Sequence, residues 1–87
     1  MKAMKNELDQ LNEWRIKEGK LCRDYIFSNF LEAMEFINQV ALVAEELNHH
    51  PDWSNSYNEV SIQLFTHDQN SLTEKDLELA RKIDQIR

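Results

Sequence analysis

The period of the apolar positions changes several times along the chain, and each change marks an element. Trp14 and Ile16 alternate with charged residues before Glu18-Gly19, and Leu21, Tyr25 and Phe27 alternate after it. Two alternating runs around a turn-forming pair predict a β-hairpin. From Phe30 the spacing becomes three and four. Phe30, Ala33, Met34, Ile37, Val40, Ala41, Ala44 and Leu47 make one apolar stripe over nearly five helical turns. Asn29 with Glu32 three residues later is a capping-box-like start. Pro51 disfavours helical geometry at the residue before it, so the helix is expected to end near Asn48. A short strand is expected around residues 52–57. Strict alternation returns in "EVSIQLFTH", with Val60, Ile62, Leu64 and Thr66 facing one way and Ser61, Gln63, Phe65 and His67 the other. That alternation puts His67 at a strand end. Thr73 as N-cap, Asp76 at the third helical position, and Leu72 and Leu77 at staple positions open a last helix. Leu79, Ala80, Ile83 and Ile86 supply its buried face. Residues 2–11, with leucines at 8 and 11 among charges, predict a short helix at the N-terminus.

These elements predict a two-layer α+β fold: an antiparallel four-stranded sheet with helices packed on one face. The core reads ββαββα, with the short N-terminal helix as an extra. No linker, repeat or low-complexity tract interrupts residues 1–87, so a single domain is expected. A chain of 87 residues buries only roughly 60% of its unfolded surface. Apolar positions left over on the sheet or helices then predict a homodimer or homotetramer.

Charge and composition narrow the partners. Net charge is −6 and the basic residues do not cluster, which argues against nucleic acid. No apolar run approaches the length of a membrane span, and the N-terminus lacks the apolar core of a secretion signal. Cys22 is the only cysteine, which excludes an internal disulfide and a cysteine-rich zinc site. A lone thiol suits a reducing cytosol, so a cytoplasmic location is expected.

All three histidines, His49, His50 and His67, fall in one stretch of about thirty residues together with the only proline. Three readings stand side by side. A zinc site needs three or four converging ligands, and adjacent helical histidines diverge by about 100°, so no metal is expected. A structural role would have His49 and His50 cap the long helix, where a cationic imidazole is favoured, with Asp76 capping the last helix. The third reading combines them: a helix end delivers two imidazoles and a strand end a third. Trp14, Trp53, Tyr57 and Phe65 add flat surfaces, which suits proton transfer on a flat heterocycle.

The string "EELNHHPDWSNSY", then His67, then "LTEKD" resembles the signature of the pterin-4a-carbinolamine dehydratases. The resemblance extends through "GKL", "YIFSNF" and "VALVAEELNHHPDW", from about residue 11 to the end. It implies removal of water from a 4a-hydroxytetrahydropterin to give quinonoid dihydropterin, as part of recycling the tetrahydropterin of aromatic amino acid hydroxylases. The pterin is then the substrate, and no cofactor is implied. By the same resemblance His49 and His67 form the proton-transfer pair and His50 holds the pterin. Asn48, Thr66 and Asp68 border the pocket, Glu45 stands one helical turn before His49, and Trp14 matches a tryptophan near the pocket. Where relatives commonly carry Gly-Gly before the last helix, this chain has Asn70-Ser71. A non-catalytic role is also implied, since one family member stabilises the dimer of a transcription factor. Retention of three histidines favours catalysis over that alternative.

Overall fold

The computed structural model describes Leu11 and residues 13–87. The expected N-terminal helix lies outside the described residues except for Leu11, which is buried in the core. The elements are β1 (Arg15–Lys17), β2 (Lys20–Ile26), α1 (Phe30–Leu47), β3 (Asp52–Ser56), β4 (Glu59–Leu64) and α2 (Glu74–Ile86). The strands form one antiparallel sheet in the order β1-β2-β4-β3, so the α+β two-layer expectation holds. Among the described residues no helix is long and apolar enough to cross a membrane.

Local chemistry explains each turn. Glu18 and Gly19 both have positive φ, 53° and 78°, the pair of left-handed residues that a two-residue hairpin of matching twist requires. Across that hairpin Arg15 bonds Asp24 at 2.9 Å. The hydrogen bond from its guanidinium holds the Asp24 carboxyl below its ordinary value. Asn29 caps α1 by accepting from Glu32 N at 2.9 Å. The reciprocal arm lands one residue early, with Ser28 N donating to the Glu32 carboxylate at 3.2 Å.

In register, Leu21 faces Leu64, Arg23 faces Ile62 and Tyr25 faces Val60. One side of that ladder carries the core. Val60, Ile62 and Leu64 are buried with Leu77, Leu79 and Ile83 of α2 and Val40 of α1 in a single cluster. Phe36 belongs to that cluster, its ring 4.6 Å from that of Tyr25, although the stripe read from the sequence omitted it. Phe30, counted in the stripe, is exposed; as the first helical residue it precedes the sheet contact. Arg23, the one charged residue on the inner face of β2, is satisfied at its edge. Its guanidinium and Trp14 Nε1 both donate to Asp84 Oδ1, at 2.7 and 2.9 Å. This shared carboxylate ties the hairpin to the last turns of α2.

After Leu64 the chain does not stay in the sheet. Thr66 pairs with Ser71 as an isolated bridge, and His67–Gln69 form a 3-10 turn between them. His67 therefore opens a tight turn and does not end a strand as the alternation suggested. Period-2 patterning reports side-chain direction, and it cannot see where backbone pairing stops. Asn70 closes the turn at φ 52°, ψ 39°, so one left-handed residue closes it without a glycine. Ser71 is not left-handed. Asparagine tolerates this conformation, whereas a β-branched residue there costs roughly 1–2 kcal/mol. Asn70→Val should accordingly lower stability by about that amount and Asn70→Gly should stay within about 0.5 kcal/mol of the parent. Urea midpoints at one protein concentration read both; a valine variant as stable as the parent would mean that the turn is built differently.

Candidate active site

Helix α1 ends where the sequence says it should, and the way it ends separates the paired histidines. Asn48 adopts the left-handed conformation at φ 52°, ψ 42°. Asn48 N bonds Glu45 O at 3.1 Å and His49 N bonds Ala44 O at 3.0 Å, the two bonds of a Schellman motif. Pro51 then directs the chain into β3. Released from the helix, the two imidazoles meet different carboxylates. His49 Nε2 lies 2.6 Å from Asp76 Oδ1, and His50 Nε2 lies 2.8 Å from Glu45 Oε1. Glu45 was expected beside His49, one turn away along the helix. The Schellman turn moves His49 off that line and leaves Glu45 to His50.

Asp76 is the residue whose second role the sequence concealed. Its pattern reads as a helix cap, and it is one: Oδ2 accepts from Thr73 N at 3.0 Å, completing the capping box. Oδ2 also accepts from Thr66 Oγ1 at 2.7 Å, and Thr66 Oγ1 lies 2.7 Å from Thr73 Oγ1. With Thr66 and Thr73 N on Oδ2, Oδ1 is left for His49. Asp76 has no solvent exposure, and the His49 side chain retains 11%. A buried carboxylate without such partners would be strongly destabilising, so the network is obligatory once Asp76 is inside. A capping box spends its acid on the helix start in sequence terms. Only the approach of the α1 end to the α2 start reveals the other oxygen.

His67 Nε2 lies 3.5 Å from Asp52 Oδ2, within ion-pair range but longer than a good hydrogen bond. Its ring stands edge-on to Phe65 with centroids 5.3 Å apart. Each imidazole thus has its own carboxylate, from three different places in the chain. Among the described residues no three histidine, cysteine, aspartate or glutamate side chains gather as a metal-ligand set.

His49, His50 and His67 line one cleft of about 350 Å³ with Asn48, Phe65, Asp68 and Lys75. That volume is within the range of small-molecule pockets. A recess of equal volume lies between the helices, over Phe27, Phe36 and Ile86 with Glu32, Glu35 and Arg87 around it. Size does not separate the two, but only the first holds imidazoles. Of the residues expected at the site, Asn48, His49, His50, His67 and Asp68 line the cleft. Thr66 is buried behind it as the hydroxyl partner of Asp76. Trp14 is elsewhere: it is buried and bonded to Asp84, eight residues or roughly 12 Å of helix from Asp76. Of the aromatic residues expected nearby only Phe65 lines the cleft, and Trp53 and Tyr57 stand exposed. Lys75, which sequence reasoning did not assign to the site, lines it from the first turn of α2.

Comparison with known proteins bears on the chain as a whole. The family described as Pterin 4 alpha carbinolamine dehydratase matches residues 1–86. A relative from Synechococcus sp. (strain WH7803), provisionally named a pterin-4-alpha-carbinolamine dehydratase, is 49% identical over 76 residues, covering 87% of this chain and 82% of its own. A similarly named relative from Chelativorans sp. (strain BNC1) is 45% identical and covers 95% of this chain and 87% of its own. The crystal structure of a transcriptional coactivator/pterin dehydratase from Brucella melitensis superposes with a TM-score of 0.89 at 40% identity, over 95% of this chain and 90% of that one. A pterin dehydratase-like protein identified as a RuBisCO assembly factor in the alpha-carboxysome shares the fold, with a TM-score of 0.68 at 20% identity over 84% of each chain. The chain described here belongs to the pterin 4 alpha carbinolamine dehydratase family.

Proposed function

We propose that the chain is a hydro-lyase that removes water from a 4a-hydroxytetrahydropterin to give quinonoid dihydropterin, as a step in tetrahydropterin recycling. One observation supports this above the others: His49 and His67 line a single cleft, each beside a separate carboxylate. The reaction needs a proton delivered to the leaving hydroxyl and a proton taken from N5. An imidazole can serve either need near neutral pH, at roughly 10²–10⁴ in rate for each transfer.

In this reading His49 and His67 are the catalytic pair. Carbon 4a is a stereocentre, so the hydroxyl on one face is served by one imidazole and on the other face by the other. Asp76 is a positioning residue. Its carboxylate engages Nε2 of His49, and the opposite nitrogen, Nδ1, is left for the substrate. His50, tied to Glu45 at the exposed side of the helix end, holds the ring. Asp68 has no ion-pair partner among the described residues, and its carboxylate suits the paired N–H donors of the aminopyrimidinone edge. Phe65 offers a flat apolar wall. The chemistry calls for no cofactor and no metal, only proton transfer. A purely non-catalytic binding role would make no demand on three imidazoles sharing a cleft.

The carbinolamine's absorbance in stopped flow, corrected for spontaneous dehydration, tests the assignment. His49→Ala and His67→Ala should each lower kcat by roughly 10²-fold with a smaller change in KM, and the double variant should fall well below either. His50→Ala should instead raise KM, because it removes a contact made in ground and transition states alike. Parental rates in all three alanine variants would mean that the histidines are structural.

Asp76→Asn separates positioning from folding. The amide can still accept from Thr66 and Thr73 through its oxygen, but it turns an N–H donor toward His49 and imposes the opposite tautomer. It should melt close to the parent while kcat drops by roughly 10–100-fold. Unchanged kcat in a folded variant would remove Asp76 from the mechanism.

The oligomer expected from the small core has candidate surface in Ile26, Phe30 and Leu31, all exposed where β2 passes into α1. Sedimentation velocity at micromolar concentration should give a symmetric dimer or larger species; a clean monomer would contradict it.

A further inference from the structure

Among the described residues that line the histidine cleft, Lys75 is the one permanent cation. Every imidazole there faces a carboxylate, Asp76, Glu45 or Asp52. Lys75 forms no ion pair among the described residues, and its side chain is exposed. It rises from the turn that orients His49. Its amide donates to Thr73 Oγ1 at 3.3 Å, and the next residue, Asp76, holds His49 Nε2 at 2.6 Å.

The chemistry of the ring says what this ammonium meets. An imidazole that exchanges protons at N5 or the 4a hydroxyl must face the N5–C4a edge. The next ring atom beyond N5 is C6, which carries the substituent. An exposed cation that lines the cleft together with His49 meets what projects from C6 toward solvent. We infer that Lys75 selects pterins whose 6-substituent carries an anion, a phosphate or a carboxylate, over pterins with a neutral substituent. The placement of the ring in this argument rests on the dehydratase reading above. The ammonium is a point charge with rotatable donors, so it suits either anion.

The test uses stable 7,8-dihydropterins, which bind without being dehydrated. Three are compared by fluorescence titration of the purified full chain: one with a methyl at C6, one with a phosphate ester, and one with a glutamate-terminated chain. The parent should bind at least one anionic ligand roughly tenfold more tightly than the methyl compound, as a single charge-assisted contact at a partly exposed site allows. The two anionic arms tell phosphate from carboxylate. The preference should shrink as ionic strength rises, because the pair is open to solvent. Lys75→Met should bring the dissociation constant of the preferred anionic ligand to within about twofold of that of the methyl compound, and Lys75→Arg should retain the preference.

Equal affinities in the parent overturn the inference. So does a loss in Lys75→Met that is the same for all three ligands, since that would put the ammonium on the ring. A charge preference in a protein that dehydrates no 4a-hydroxytetrahydropterin overturns the proposed reaction and leaves the binding assignment standing. Dehydration without a charge preference does the reverse, and failure both to bind any of the three and to dehydrate overturns both.

Discussion

A carboxylate with no solvent exposure sits at the junction of the two helices, and much of the site's order follows from satisfying it. Asp76 has two oxygens and three partners: Thr73 N, Thr66 Oγ1 and His49 Nε2. Burying the ion without them would cost several kcal/mol. With them, one residue fixes the start of α2, the exit of the sheet at Thr66 and the imidazole at the end of α1. Folding and site assembly are thus coupled at a single side chain. A change that loosens any of the three elements reaches His49 through this carboxylate.

The three imidazoles illustrate how backbone devices assign partners. The left-handed Asn48 turns His49 away from the axis of α1 and onto Asp76, while Glu45, still helical, is left to His50. The 3-10 turn that begins at His67 brings that ring alongside Phe65 and toward Asp52 at the start of β3. Among the described residues no carboxylate serves two histidines. The arrangement differs from a metal cage, in which ligands converge on one point. Here each imidazole is oriented separately and all of them border the same cleft.

The end of α2 away from the cleft is held in a comparable way. Asp84 accepts from Trp14 and Arg23, so α2 is anchored to the hairpin at one end and to the site at the other. Between these polar clamps its inner face is apolar, with Leu77, Ala80 and Ile83 fully buried. Rigid anchorage at both ends suits a helix whose first turn presents Lys75 and Asp76 at the site. The backbone is shared to different degrees: the 40%-identical crystal structure superposes with a TM-score of 0.89 and the 20%-identical carboxysome protein with one of 0.68, and a shared fold does not by itself fix function.

Much of this was legible in the sequence because it depends on local rules. Hydrophobic period told helix from strand, Glu18-Gly19 marked the hairpin, and Asn29 and Thr73 announced their helices. Asn48 before Pro51 marked the end of α1, and the inward set Val60, Ile62, Leu64 and Thr66 came from simple alternation. The clustering of His49, His50 and His67 pointed to the one cleft that all three line. Tertiary structure decided which groups touch. Asp76 reads as a cap because capping is a local bond, and its bond to His49 spans 27 residues. Trp14 reads as a site aromatic, but Asp84, 70 positions away, draws it into the core. Glu45 pairs with His50 because a left-handed residue breaks the helical line that sequence spacing assumes. Periodicity describes a straight element, and the cleft is made where the elements end.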